Sequence, residues 1–389
     1  MRTKNLALCA SIALYILYIF LENWATSAGR MGEVGLELLF SGVSTITLSG
    51  VAILMAYGLL LDINTLRRKR WTSIVILSII AFLLIAIGSI SIALPIALGL
   101  LAANSNLRLI AKTILSSLIT LIVASTILHT IGLTGGDVVS KPLFGSDSDL
   151  STTAPAFGLS NPNSLMVLFI SVIAMTFIIT RSQRQDFLAA IALATLTVIL
   201  SSLTGSTTGL LAGLGLILLT YSAKHSDRAL RRLKKVTPKA FPIITILTFA
   251  VALLFGPSST LPNPVNDTLT TRPYTWNLRI ENESYLNMYG NNDEYLSSPN
   301  QGADKSHALD NMTLYILVYY GIPVYLIILL IIYRGAKLID DPAIQSYILI
   351  ACLLMFTERM YLYSLVFIFL TKAVVEHYYL DATDQKKAA

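Results

Sequence analysis

Residues 187–223 read FLAAIALATLTVILSSLTGSTTGLLAGLGLILLTYSA, 37 residues without one charged side chain. As one helix this run would be roughly 55 Å long at about 1.5 Å per residue, while the hydrocarbon core of a bilayer is about 30 Å thick. It therefore reads as two crossings, about 187–203 and 208–223, with a turn at Thr204-Gly205-Ser206-Thr207-Thr208-Gly209, where glycine and hydroxyl residues interrupt the apolar pattern. Working outward, the same texture recurs along the whole chain. The runs 71–103 and 343–376 are also too long for one crossing and split near Gly88-Ser89-Ile90-Ser91 and at Thr357-Glu358-Arg359.

Composition agrees with this reading. Of 389 residues, 54% are hydrophobic and only 13% charged, with a mean hydropathy of +0.69; a soluble domain carries about 25% charged residues. So little charge cannot coat a water-facing surface of this size. Lipid leaves backbone groups no outside partner, and the runs lack the alternation of barrel strands, so they must be helices. The expected fold is an all-α polytopic membrane protein of about 12 transmembrane helices, at about 5–23, 37–60, 71–87, 91–104, 109–131, 162–180, 187–203, 208–223, 240–256, 311–333, 343–356 and 360–376. Arg2, Lys4, the apolar run from Leu6 to Phe20 and the small residues 25–28 have the look of a secretory signal, but with so many later spans this segment reads as a retained first helix, with Trp24 at the interface.

Charge sets the orientation. With the N-terminus inside, six of the 28 basic residues fall outside, Arg30, Lys141, Arg272, Arg279, Lys305 and Arg359, and the other 22 lie inside. The positive-inside rule then puts both termini in the cytoplasm. The net charge of +6 is thereby spent on short inner loops and does not point to nucleic acid. Cys9 and Cys352 lie within spans and read as packing residues, and no Cys/His cluster suggests a metal. The inner loops hold no Walker sequence or glycine-rich phosphate loop, and the two halves show no clear similarity of the kind that repeat-built transporters have.

Two long loops fall on the outer side, 133–160 and 257–310. Long loops of this kind are often functional. The chain thus divides into helices 1–9 (1–256), an extracytoplasmic loop subdomain (257–310), helices 10–12 (311–376) and a cytoplasmic tail (377–389). Arg272, Arg279 and Lys305 run against the charge bias, which suggests that they face an anion; arginine's planar fork suits phosphate. They also have Asp267, Glu281, Glu283, Asp293 and Asp304 nearby in sequence as ordinary partners. Tyr274, Trp276, Tyr285, Tyr289 and Tyr295 offer rings either for sugars or for the interfacial belt. His307, with Asp310 three residues on, could take a proton from a sugar hydroxyl; His129, at the outer end of the fifth span, is a second candidate, and His225 and His377 lie on the inner side. Glu358 and Arg359 either pair with each other or line the same cavity as the loop, and Glu37 is near enough to its interface to snorkel.

Three stretches resemble the polysaccharide polymerase family, the Wzy-type polymerases of O-antigen, capsule and exopolysaccharide, which share an architecture with the O-antigen ligases. They are Phe157-Gly158-Leu159-Ser160-Asn161-Pro162-Asn163-Ser164, Arg272 followed by Trp276, and residues 307–321, HALDNMTLYILVYYG. The Thr357-Glu358-Arg359 turn is similar to one in the family's last helix pair. The resemblance implies an enzyme at the outer face of the cytoplasmic membrane, free of metal or other cofactors, that moves a growing polysaccharide from undecaprenyl pyrophosphate to a new lipid-linked repeat unit. A flippase and a chain-length regulator are the partners such a system implies. Carried onto this chain, Arg272 would hold the pyrophosphate with Arg279 and Arg359 as helpers, His307 would activate the acceptor with Asp310 orienting it, and Asn161 and Asn163 would sit at the cavity mouth. Many relatives have an arginine in a Gly-Ser-Arg turn where this chain has Gly205-Ser206-Thr207, which puts a two-arginine clamp in doubt unless Arg279 or Arg359 substitutes. An O-antigen ligase, a flippase for lipid-linked sugars and a non-catalytic partner of a synthase remain the competing readings.

Overall fold

The computed structural model describes residues 2–30, 33–63, 90–134, 139–142, 151–154, 157, 159, 162–255, 276, 311–356 and 365–384. Their helices are α1 (Arg2–Arg30), α2 (Val34–Ile63), α3 (Ile90–Ala102), α4 (Leu107–Thr130), α5 (Pro162–Ile179), α6 (Gln183–Thr204), α7 (Thr207–His225), α8 (Asp227–Phe255), α9 (Met312–Leu338), α10 (Pro342–Leu354) and α11 (Leu365–Asp384). The protein is a polytopic helical membrane protein. Each helix overlaps one of the expected spans, and the remaining expectation, 71–87, lies outside the described residues. The loop 133–160 departs from the all-α expectation. It carries two short strands, β1 (Val139–Pro142) and β2 (Ser151–Ala154), paired antiparallel with Val139 opposite Ala154.

The turn expected at 204–209 is present and its chemistry is local. Gly205 closes α6 in the left-handed region (φ 62°), and Ser206 caps α7 by accepting from the Gly209 N–H at 3.1 Å. Ser201 donates back to the Ser206 carbonyl at 2.7 Å. The start of α8 is a correction. Residues 227–239, expected as a basic inner loop, are helical, and α8 runs on through Pro238 and Pro242. Leu233, Thr237, Ala240 and Phe241 recur at helical spacing and are buried, so the apolar stripe continues beneath the arginines and lysines.

Burial separates inner helices from outer ones. α5 and α10 are buried almost all round and are joined at mid-height by a 2.7 Å hydrogen bond between Ser171 and Tyr347. α3 and the first half of α11 are similarly enclosed. In contrast α2, α4, α6 and α8 present exposed apolar side chains, such as Leu39 and Ile46, Val123 and Ile127, Ile191 and Val198, and Ile246 and Leu254. An aliphatic perimeter around an apolar interior is what a lipid solvent requires. Length follows position. Among the described residues seven helical stretches are long and apolar enough to cross a bilayer, in α1, α2, α4, α6, α7, α8 and the second part of α9, whereas α3, α5 and α10 contribute shorter apolar stretches. A helix enclosed by its neighbours need not match the full hydrocarbon thickness.

The turns 103–106, 180–182, 226 and 339–341 meet the N-terminus of α1 and the later part of α11 at one end of the bundle, here the basic end. Lys4 donates to the Ala103 carbonyl at 3.0 Å, and the Asn104 N–H donates to Glu376 at 2.8 Å. Lys234 pairs with Asp340, and Lys372 with Glu376. Gln345 of α10 donates to the Ile339 carbonyl at 2.7 Å and to that of Ala336, closing the last turn of α9. The opposite end is the loop end, from which residues 257–310 emerge.

Close helix approach holds α11 between its neighbours. A Cβ at Gly99 of α3 would lie 2.6 Å from Thr371 Cβ and 2.8 Å from the Ile368 carbonyl; one at Gly335 of α9 would lie 2.8 Å from the Leu370 carbonyl. Without a hydrophobic drive between helices in lipid, such contacts carry the association. Gly99→Leu is expected to destabilise the fold by about 1–3 kcal/mol, the usual range for overpacking. It should therefore lower the unfolding temperature of the detergent-solubilised protein; an unchanged value would mean that α3 does not pack on α11 this closely.

Candidate functional site

The loop end is built on neutral anchors. Asn311 caps α9, its Oδ1 accepting from the Leu314 N–H at 3.0 Å. Its Nδ2 donates to the Phe356 carbonyl at 2.8 Å and to Thr248 of α8 at 3.0 Å, and the side chain is completely buried. The Met312 N–H donates to the Met355 carbonyl at 2.9 Å, so the start of α9 and the end of α10 are stitched together through backbone as well. Trp276 completes this joint. It is 1% exposed and meets Phe356 edge-on, ring centroids 5.2 Å apart at 75°.

Residue by residue, the expected site divides unevenly. Trp276 is placed, as an anchor with no free face for a sugar to stack on. Asn163 is placed and half-buried in the first turn of α5. Asn161, Arg272, Arg279, His307, Asp310, Glu358 and Arg359 lie outside the described residues. Described neighbours nevertheless bring their segments close along the chain. Arg272 is four residues before Trp276, Asp310 adjoins Asn311, and Glu358 is two residues beyond Phe356. Thr207 is exposed at the start of α7. A Cβ at Gly209 of that helix would lie 2.6 Å from Met166 Cβ, so α5 and α7 begin against each other at this end.

A second anchored chain runs at the same end. The Trp24 indole donates to Ser125 at 3.0 Å, and Ser125 donates to the Phe157 carbonyl at 2.9 Å. Trp24 is 6% exposed, and its indole N–H finds a buried partner. Phe157 has φ +50°, uncommon for an aromatic residue, and its ring lies edge-on to His129 at 6.4 Å. His129 Nδ1 is 3.2 Å from the Thr134 carbonyl, so in that bond Nδ1 carries the proton.

Sequence reasoning missed a buried ionic cluster at the basic end. Asp186, in the first turn of α6, is 3% exposed and pairs with Lys224 at 2.7 Å and with His225 at 3.3 Å. Thr180 donates to Asp186 at 2.5 Å, and Lys224 also donates to the Phe177 carbonyl at 2.8 Å. A carboxylate at the first turn of an otherwise apolar helix was the available signal, since it favours the helix dipole and must find a cation when buried. Cys352 is buried and Cys9 half-buried, both free; Thr113 bonds Cys9 at 3.2 Å. Among the described residues no His, Cys, Asp and Glu group is spaced to hold a metal ion.

Asn311→Ala removes the α9 cap and leaves the buried Phe356 carbonyl without that donor. The expected cost is about 2–4 kcal/mol, from roughly 1 for a cap and about 1–3 for an unsatisfied buried acceptor. Asn311→Asp keeps the cap acceptor but has no N–H for Phe356, so it should recover only part of the loss in detergent unfolding. Full recovery would show that the Phe356 bond contributes nothing.

The chain matches no family model, no curated protein and no solved structure.

Proposed function

We propose that the protein is a polysaccharide polymerase of the cytoplasmic membrane, with the loop end facing outward and both termini inside. The observation that carries this reading is the Trp276–Phe356–Asn311 joint, because it ties the large loop at two points to the end of α10. Loop residues Arg272, Arg279, His307 and Asp310 and the turn residues Glu358 and Arg359 belong to segments that start or finish at that joint. The starts of α5, α7 and α9 lie at the same end, and helix N-termini favour anions such as pyrophosphate.

In the proposed reaction a hydroxyl of the new lipid-linked repeat attacks the anomeric carbon of the growing chain. The C–O bond to undecaprenyl pyrophosphate breaks as the new glycosidic bond forms, with inversion. His307, oriented by Asp310, takes the hydroxyl proton. Arg272, helped by Arg279 or Arg359, neutralises the departing pyrophosphate; Asn161 and Asn163 sit at the mouth of the cavity. The pyrophosphate is already a good leaving group, so the step calls for no metal or nucleotide.

The test is a gel profile of the host's surface polysaccharide after deletion and complementation. Polymerase activity predicts single repeat units attached normally in the deletion, a ladder restored by wild type, and no ladder with His307→Ala. Long chains stranded on the lipid carrier would make the protein a ligase, and loss of all outward-facing intermediates would make it a flippase. Orientation has its own check. Ser297→Cys should react with a membrane-impermeant maleimide in intact cells while Lys235→Cys reacts only after lysis; the reverse pattern would overturn the outward assignment.

A further inference from the structure

At the basic end, a cleft of about 470 Å³ opens between the starts of α4 and α10 and the ends of α5 and α7. Half-buried Leu107 is its main apolar surface, Phe177 and Ile178 being almost wholly buried at its lining, and Arg108, Arg181, Lys224 and Asp341 supply its charge. The four charged groups are not equivalent. Lys224 is committed to Asp186, Thr180 and the Phe177 carbonyl. Asp341 turns inward as the cap of α10, accepting from Ala343 and Ile344 at 2.9 and 3.0 Å. Burial pushes its carboxyl pKa up, while those N–H bonds and the charges of Lys224 and Arg108 pull it back. Asp186, the other nearby carboxylate, is already paired with Lys224 and has His225 at 3.3 Å. The Arg108 and Arg181 guanidinium groups, by contrast, have no hydrogen-bond or ion-pair partner among the described residues.

Two arginine forks without a hydrogen-bonded partner, beside Leu107 and at the ends of membrane helices, make a site for an amphiphile with an anionic head. Arginine binds phosphate oxygens through paired N–H donors, and basic pockets between transmembrane helices on the cytoplasmic side suit phospholipid head groups. We propose that this cleft binds the phosphate head group of an anionic phospholipid, held by Arg108 and Arg181, with its glycerol against Leu107 and its acyl chains in the surrounding lipid. A soluble phosphate would satisfy the same arginines, and it is the competitor that the test includes. The site is at the opposite end of the bundle from the proposed polymerase centre and does not depend on it.

The test titrates delipidated, detergent-solubilised full-length protein with phosphatidylglycerol, phosphatidylcholine or inorganic phosphate, and reads bound lipid by native mass spectrometry and the unfolding temperature in parallel. Wild type should bind phosphatidylglycerol at least about tenfold more tightly than phosphatidylcholine, a difference of one decade in Kd. Arg108→Gln/Arg181→Gln should lose that preference yet unfold at the wild-type temperature without lipid, because neither guanidinium holds the fold together. The single variant Arg181→Gln, at an exposed position, should show an intermediate preference and serves as the check should the double variant fold poorly. Equal binding of the two lipids by wild type, or an undiminished preference in the variants, would overturn the proposal. Equal stabilisation by inorganic phosphate, with displacement of phosphatidylglycerol, would replace the lipid by a soluble anion and overturn it as well.

Discussion

A lipid exterior supplies no hydrogen bonds, and this constraint decides where polar groups can be. The helices are rich in serine and threonine, yet most of these hydroxyls bond a carbonyl one turn back on their own helix. Ser11 bonds Ala7, Thr47 bonds Val43, Thr176 bonds Val172, Thr197 bonds Leu193 and Ser202 bonds Val198, all between 2.7 and 2.9 Å. Such a side chain demands nothing from a neighbouring helix or from lipid. Cross-helix side-chain bonds are fewer among the described residues; one of them, between Ser171 and Tyr347, joins two largely enclosed helices, α5 and α10. Polar chemistry is thereby pushed to the two ends of the bundle.

The ends are closed by different physics. At the basic end the latches are ionic: Asp186 with Lys224 and His225, Lys234 with Asp340, and Lys372 with Glu376. At the loop end the described latches are neutral. Trp24, Ser125 and the Phe157 carbonyl form one chain, and Asn311, Thr248, Phe356 and Trp276 form the other. A neutral anchor holds a loop in place without consuming a charged side chain. Arginines and a histidine carried by such a loop need not serve the fold, and that division of labour suits a site that handles a pyrophosphate.

What the sequence made legible follows from the same constraint. The turn at 204–209 could be read because glycine and hydroxyl residues interrupt an uncharged run, and the structure closes it with Gly205 and Ser206. Residues 227–239 read as a loop because their basic residues hide a buried stripe, Leu233 and Thr237, that leads into Ala240 and Phe241 and that only helical spacing reveals. Trp24 fits the common interfacial role of tryptophan, and nothing local in the chain discloses that Ser125, 101 residues away, receives its N–H. The helix-capping signal of an asparagine before an apolar run could have marked Asn311, but not its bonds to Thr248 and Phe356, which depend on how α8 and α10 pack. Of the expected site, Trp276 and Asn163 fall among the described residues, and there Trp276 is an anchor instead of a ligand platform.

The break in α9 shows how one residue sets the geometry of the loop end. Gly321 has φ 81° and ψ 173°, a conformation that a side chain would strain, and Pro323 follows two residues later. Before the break, Met312, Thr313, Leu314, Tyr315, Ile316, Leu317, Val318 and Tyr320 are all buried, so this segment is enclosed in protein; after it, Leu326 and Leu330 face outward. The change from full to partial burial falls at this break. The bend therefore lets the first half tuck beneath Phe356 while the second joins the perimeter, with Tyr325 reaching Thr245 of α8 at 2.7 Å. Discontinuous membrane helices recur where backbone lines a site within the bilayer. Here the break comes ten residues after Asn311, the point at which the large loop rejoins the bundle. The direction of the first half of α9 is thus set by Gly321 from below and by the Asn311–Phe356 bond from above.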